Sequence, residues 1–275
     1  LLASSAASDV YKRQVRDNLL KSFPEKSLDE LIRIEKKFYH FFCDYFVETL
    51  KLTSISKKEM RKRMVFRGVE QVEQAVHEEG HNFIFLYLGH YCNWEWIASL
   101  PYTISPSIHC AQIYHPLYNK AVDKFFLKLR NQFGGECIPM KNTLRRVIEL
   151  KREKRPTMIG FISDQLPKWN SMHFFVPFLH RETAVFTGAE QIGRQVKAVY
   201  FFADIIRPRR GYYECTFRRM EIPEVNRTEY DMTAMFMEQL EQMIRRAPQY
   251  WLWTHKRWKR TKEEWLRRQQ DSTIK

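Results

Sequence analysis

At 275 residues the chain can bury a sizeable core, and a hydrophobic fraction of 44% with an aromatic fraction of 15% excludes a disordered chain. The formal charge of +14 directs attention to anionic partners (nucleic acid, anionic membrane or an acidic protein) and is silent about fold. Five scattered cysteines, Cys43, Cys92, Cys110, Cys137 and Cys215, have no CxxC spacing, so a reduced compartment with neither a disulfide framework nor a zinc site is expected. No run of 18 apolar residues offers a transmembrane helix.

Residues 1–14 are small, polar and unpatterned, and Asp9-Val10-Tyr11-Lys12-Arg13-Gln14 reads as a translated sequencing-adaptor end. They are set aside as a non-native or disordered segment, with the native start expected to be lost, and residues 15–275 are read as one domain. Ser27-Leu28-Asp29-Glu30 is a capping box that opens a long helix with a wide aromatic stripe: Leu31, Ile34, Phe38, Phe41, Phe42, Tyr45, Phe46 and Leu50. Residues 57–67 form a basic run, read either as a solvated helix face or as a contact for anionic lipid. A helix over 69–79 follows, and then Phe83–Leu88, short, apolar and aromatic, reads as a strand buried on both faces.

Gly89-His90 ends that strand, and Asn93 can cap a helix that starts at Trp94 with Glu95 in its first turn. Positions five apart lie about 140° around an ideal helix, so His90 and Glu95 meet only if His90 sits in the turn before the helix and folds back. That arrangement places an imidazole and an orienting carboxylate past the C-terminal end of a strand, where α/β sheets build their sites. By itself a histidine at such a turn is more often a structural residue than a catalytic one.

Downstream, residues 108–114 read as a second strand and Asn119 as the cap of a helix reaching Arg130. A strand over 136–139, a basic helix over 141–154 and a buried strand over 158–162 come next. Ser163-Asp164-Gln165 stands at the end of that last strand, a position that builds a site or caps the next element. Phe174-Phe175-Val176-Pro177-Phe178 is too proline-bound for a central strand. Thr187-Gly188-Ala189-Glu190 reads as a second capping box, residues 198–206 and 212–220 as a hairpin, and 232–246 as a final amphipathic helix. The alternation of strands and helices predicts an α/β fold with a single mixed, mostly parallel sheet flanked by helices.

The order of these blocks resembles the lipid A biosynthesis acyltransferases, which transfer lauroyl and myristoyl chains, within the wider lysophospholipid and glycerolipid acyltransferases that share a His-x4-acid motif. The likeness covers nearly everything after Val15. It rests on Gly89-His90 through Glu95; on Tyr114-x-Pro116 with Arg130; on Asp164-Gln165 with Phe175-Val176-Pro177-Phe178 and Thr187-Gly188; and on Gln249-Tyr250-Trp251-Leu252-Trp253-x-His255-Lys256-Arg257. Family members carry an N-terminal hydrophobic anchor that is missing here, and His115 stands where an arginine is common.

The resemblance implies transfer of a fatty acyl chain from an acyl carrier protein thioester to a hydroxyl of a lipid A precursor, at the cytoplasmic face of the bacterial inner membrane. His90 would take the hydroxyl proton, with Glu95 holding its imidazole. Arg130 would stabilise the oxyanion or grip a substrate phosphate, and Asp164 would orient Arg130 or the sugar headgroup. No metal or cofactor is implied. The implied partners are the acyl carrier protein, a phosphorylated glycolipid acceptor and an anionic membrane surface, with no nucleic acid. The basic run and the tail over 255–268, with Trp251, Trp253, Trp258 and Trp265, suit such anionic partners, although Trp251 and Trp253 also suit a core. Other readings of the same residues are transfer to another glycolipid or phospholipid, a non-catalytic basic protein binding membrane or nucleic acid, and a thioesterase with Cys92 as nucleophile.

Overall fold

Six consecutive apolar residues leave a strand no solvent face, and in the computed structural model Phe83–Leu88 is buried at every position, at the centre of a seven-stranded sheet. The structure describes residues 2–222 and 229–273, with side chains from 12 to 222 and from 229 to 271.

Helices α1 (Leu2–Ser22), α2 (Leu28–Lys51) and α3 (Lys57–Arg63) lead into strand β1 (Met64–Arg67), α4 (Val69–His77) and β2 (Phe83–Leu88). A 3-10 helix over Trp94–Tyr102 follows, then β3 (His109–Tyr114), α5 (Lys120–Asn131), β4 (Glu136–Pro139), α6 (Thr143–Glu153) and β5 (Thr157–Ile162). The last third holds β6 (Phe175–Phe178), β7 (Arg181–Ala184), α7 (Gly188–Val196), β8 (Val199–Arg209), β9 (Tyr212–Met220), α8 (Asp231–Arg246) and α9 (Lys262–Thr273).

The main sheet has the order β1-β9-β8-β2-β5-β3-β4. Strands β8, β2, β5, β3 and β4 run parallel; β9 pairs antiparallel with β8, and β1 runs parallel to β9. The expected mixed, mostly parallel sheet is therefore present. Pro177 sits in the separate two-stranded β6-β7 sheet, where a missing N–H costs no central ladder bond.

Helix α1 takes in most of the stretch set aside as residues 1–14; Leu1, and the side chains through 11, lie outside the described residues. The capping box at α2 is complete: the Ser27 hydroxyl accepts from the Glu30 N–H at 3.3 Å, and the Glu30 carboxylate accepts from the Ser27 N–H at 2.9 Å.

Three expectations are corrected. The basic run is not one helix: Met64–Arg67 leaves α3 to pair with β9, with Met60, Met64 and Phe66 turned into the core. Its guanidinium groups are spent on the protein, Arg63 on Glu59 and Gly211, Arg67 on Glu214, and Arg61 on the Tyr102 carbonyl. Thr187 precedes α7 but its side chain does not cap it. Its hydroxyl bonds His173 at 2.6 Å, while Glu190 turns to the Thr233 N–H and hydroxyl, both at 2.8 Å, and ties α7 to α8. Trp258 and Trp265 pack inward, Trp258 against the main core and Trp265 with Leu166, Met172 and Ala184, while Trp251 and Trp253 are fully buried in that core.

Candidate active site

The site is set by the register of two parallel strands. β2 pairs with β5 with Leu88 opposite Ile162, so the residues two beyond each strand, His90 and Asp164, come out side by side at the C-terminal edge. The His90 Nδ1–H donates to Asp164 Oδ1 at 2.6 Å, and the His90 backbone N–H donates to Oδ2 at 2.9 Å. The Trp251 indole N–H donates to the same Oδ2 at 2.8 Å. Side chains crowd this turn: a Cβ on Gly89 would stand 2.7 Å from a Leu240 methyl and 3.4 Å from Asp164 Oδ2.

Asp164 is 1% exposed, and burial by itself would raise its carboxyl. The neighbouring His90 charge, the two hydrogen bonds from His90 and the one from Trp251 outweigh burial and hold it down at about 2. The result is a buried, ionised carboxylate fixed on Nδ1. In the neutral imidazole Nε2 is then the nitrogen without a proton, and the Gln165 side-chain amide donates to it at 3.3 Å. His90 is 18% exposed, so this nitrogen remains within reach of a ligand.

Glu95 is elsewhere. It was expected on the imidazole, but it accepts a two-pronged grip from Arg130, from Nε at 2.8 Å and from Nη2 at 2.6 Å. The helix that Asn93 opens is a 3-10 helix, with the Asn93 side chain accepting from the Trp96 N–H at 3.3 Å, and it turns Glu95 away from His90 and toward α5. Asp164, expected near Arg130, takes the place on His90. The four residues are thus brought to one end of the sheet, with the two carboxylates exchanged. Burial would lower the Arg130 guanidinium, and the Glu95 carboxylate more than offsets it.

Between the pairs stands Trp94, its ring 5.1 Å from the His90 ring on one side and stacked on Tyr45 at 4.3 Å on the other. Beyond Trp94 an apolar cleft of about 560 Å³, part of it open to solvent, runs between the sheet and the 3-10 helix. Leu88, Ile97, Met158 and Gly160 line it, and Arg130 supplies a positive charge on its wall. Apart from Arg130 and Glu136 the lining carries no formal charge, which suits a hydrocarbon chain.

Cys92 is fully buried at a positive φ of 52°, and burial pushes its thiol well above the ordinary range. A thiol that is neither exposed nor ionised is not a nucleophile, which removes the thioesterase reading.

Sequence reasoning missed the clamp that holds the His90 turn. Tyr91 bridges Trp251, the Leu252 N–H donates to the His90 carbonyl at 3.1 Å, and the Cys92 N–H donates to the Tyr250 carbonyl at 2.9 Å. His255, lowered to about 4 by burial, stays neutral and accepts from the Leu166 N–H at 3.3 Å. Arg257, 1% exposed, donates to the Ala184 carbonyl; its Nε and Nη1 reach no protein acceptor among the described residues, and Asp164 is the charge that acts on it. The density of polar and aromatic residues in Trp251-Leu252-Trp253-Thr254-His255 was the available signal, since core segments seldom interleave the two.

The chain is similar to a lipid A biosynthesis acyltransferase of Haemophilus influenzae (strain ATCC 51907 / DSM 11121 / KW20 / Rd), 24% identical over 246 residues that cover 88% of this chain and 74% of that protein. The family described as bacterial lipid A biosynthesis acyltransferase matches residues 2–260, and the chain belongs to that family.

Proposed function

We propose that the chain transfers a fatty acyl group from an acyl carrier protein thioester to a hydroxyl of a phosphorylated lipid A precursor, at the cytoplasmic face of the inner membrane. The observation that carries this reading is the 2.6 Å contact of His90 Nδ1 with the ionised, buried Asp164, which leaves Nε2 as a base beside Trp94, whose ring lines the apolar cleft.

A hydroxyl is a poor nucleophile at neutral pH, and imidazole is the side chain suited to take its proton there. The acceptor oxygen attacks the thioester carbon as Nε2 removes its proton, displacing the Gln165 amide. Asp164 stabilises the imidazolium without itself taking the proton. The carbonyl oxygen becomes an oxyanion, and Arg130, aimed by Glu95, stands on the cleft wall to meet it. When the tetrahedral intermediate collapses the C–S bond breaks, and the imidazolium returns the proton to the leaving thiolate. The acyl chain lies in the cleft beneath Trp94.

The test is acyl transfer from carrier-protein thioesters of several chain lengths to a lipid A precursor and, in parallel, to a lysophospholipid. His90→Ala is expected to lose about 10²–10⁴-fold in kcat, the usual contribution of general-base catalysis. Equal rates for His90→Ala and the parent would remove the mechanism, and transfer to the lysophospholipid alone would replace the acceptor.

A further inference from the structure

The segment that leaves β3 carries its largest apolar side chains on the outside. Leu117 is 41% exposed and Tyr118 fully so, and on α5 Val122 and Phe125, three residues apart on one face, are 41% and 37% exposed. Helix α5 buries only Leu129 on its inner side and delivers Arg130 to the cleft wall at its far end. Beside the outward stripe run Lys120, Lys124 and Lys128, at spacings of four that set them on one face, and all are exposed. None of the three has an acid within ion-pair distance among the described residues, unlike the arginines of α3 and β1.

The one acid of α5, Asp123, is already spent. It accepts from the Leu117 N–H at 2.7 Å, and its own N–H donates to the Asn119 carbonyl, so the apolar tip is fixed to the helix. Asn119 caps the same turn by accepting from the Ala121 and Val122 N–H groups at 3.0 and 3.3 Å. The tip stands at the C-terminal edge of the sheet, the edge that carries His90 and Asp164, because β2, β5 and β3 are parallel.

We infer that residues 117–128 form a docking surface for an anionic lipid layer, with Leu117, Tyr118, Val122 and Phe125 entering the acyl boundary and Lys120, Lys124 and Lys128 meeting the headgroups. An ordered apolar tip beside an unpaired lysine row is the charge pattern of an interfacial helix. Lying at the sheet edge that carries His90, it would bring lipid-borne substrate toward that residue without taking it through water. The inference rests on the reading of the chain as an enzyme of membrane lipid, but its test needs no turnover, so the two fail separately.

The experiment is co-sedimentation of the full chain with vesicles of phosphatidylcholine alone and with one-third phosphatidylglycerol. The parent chain is expected to sediment with the anionic vesicles, and Val122→Asp and Phe125→Asp each to weaken that binding roughly tenfold. Replacing Lys120, Lys124 and Lys128 together by Gln is expected to cost roughly fivefold per lysine, and only on the anionic vesicles. All five positions are exposed, so thermal unfolding should be unchanged in every variant. Parent-like sedimentation of the aspartate variants, or a parent that binds neither vesicle, would overturn the inference. So would variants that keep vesicle binding but lose affinity for acyl carrier protein, which would make the stripe a protein-docking site.

Discussion

The site contains two carboxylates, and they are held by different physics. Asp164 is surrounded by donors that are weakly charged or neutral: an imidazole, a backbone N–H and an indole. Glu95 faces a full guanidinium in a bidentate grip. The first arrangement leaves the histidine's Nε2 held only by the Gln165 amide, as the proposed proton transfer requires. The second neutralises its own charge and serves to aim Arg130. Proximity in sequence favours Glu95 as the partner of His90, and strand register selects Asp164 instead.

The comparison is broken most severely at Asp164. Asp164→Asn keeps the shape but removes the negative charge and favours the wrong imidazole tautomer, so kcat is expected to fall about 10³–10⁴-fold with little change in KM. If Asp164→Asn were harmless and Glu95→Gln abolished transfer, the assignment of the two carboxylates would be reversed. The pH dependence of stability gives a second reading. Because the folded carboxyl is held below its ordinary value of 3.8, its contribution is fully present above that value and is lost as pH falls toward about 2. Acid unfolding curves of the parent and Asp164→Asn should therefore converge in that window.

At Glu95 the expected damage is structural. Glu95→Gln leaves the half-buried Arg130 without its acid, at a cost of up to about 3 kcal/mol measured by denaturant unfolding, the low end for a buried pair. Adding Arg130→Met should recover most of that loss without recovering activity. A double variant as unstable as the sum of its parts would show that the pair is not the unit described here.

A smaller effect separates the cleft from the base. At Gly160, which lines the cleft, a Cβ would meet its nearest neighbours at 3.7 Å or more, so the added methyl of an alanine has room. Gly160→Ala is expected to shift preference toward shorter thioesters by about 10–200-fold, the range for one methylene in an apolar pocket, with the pH profile unchanged. An unaltered chain-length profile would place the acyl chain elsewhere.

The smallest expected effect tests the reach of the Asp164 environment. Arg257 is lowered by burial to about 10, still charged at neutral pH, and acts on Asp164 from outside hydrogen-bonding distance. Arg257→Gln removes a positive charge from the region of the imidazole, so the acid limb of the kcat profile should move up by less than one pH unit. Arg257→Lys should restore it. A lowered rate with an unmoved limb in both variants would reduce Arg257 to packing.

Much of this molecule was legible in one dimension. The run Phe83–Leu88, the capping box at Ser27, the caps Asn93 and Asn119 and the β8-β9 hairpin are local patterns, decided by residues within one or two turns of each other. So was the placing of His90 and Asp164, each two residues past an apolar strand. The second capping box was misread because Glu190 found a partner 43 residues away on α8 that outweighed its local one.

Local patterns thus specify most of the strands and helices and the four polar residues that gather at one edge of the sheet, whereas β1, β7 and the start of α1 escaped them. Only the tertiary structure decided which carboxylate serves His90. That choice depends on β2 and β5 lying side by side with Leu88 opposite Ile162, a pairing between segments 74 residues apart that no periodicity encodes. It depends equally on the 3-10 turn after Asn93, which rotates Glu95 onto α5, where Arg130 offers two hydrogen bonds and a full opposite charge.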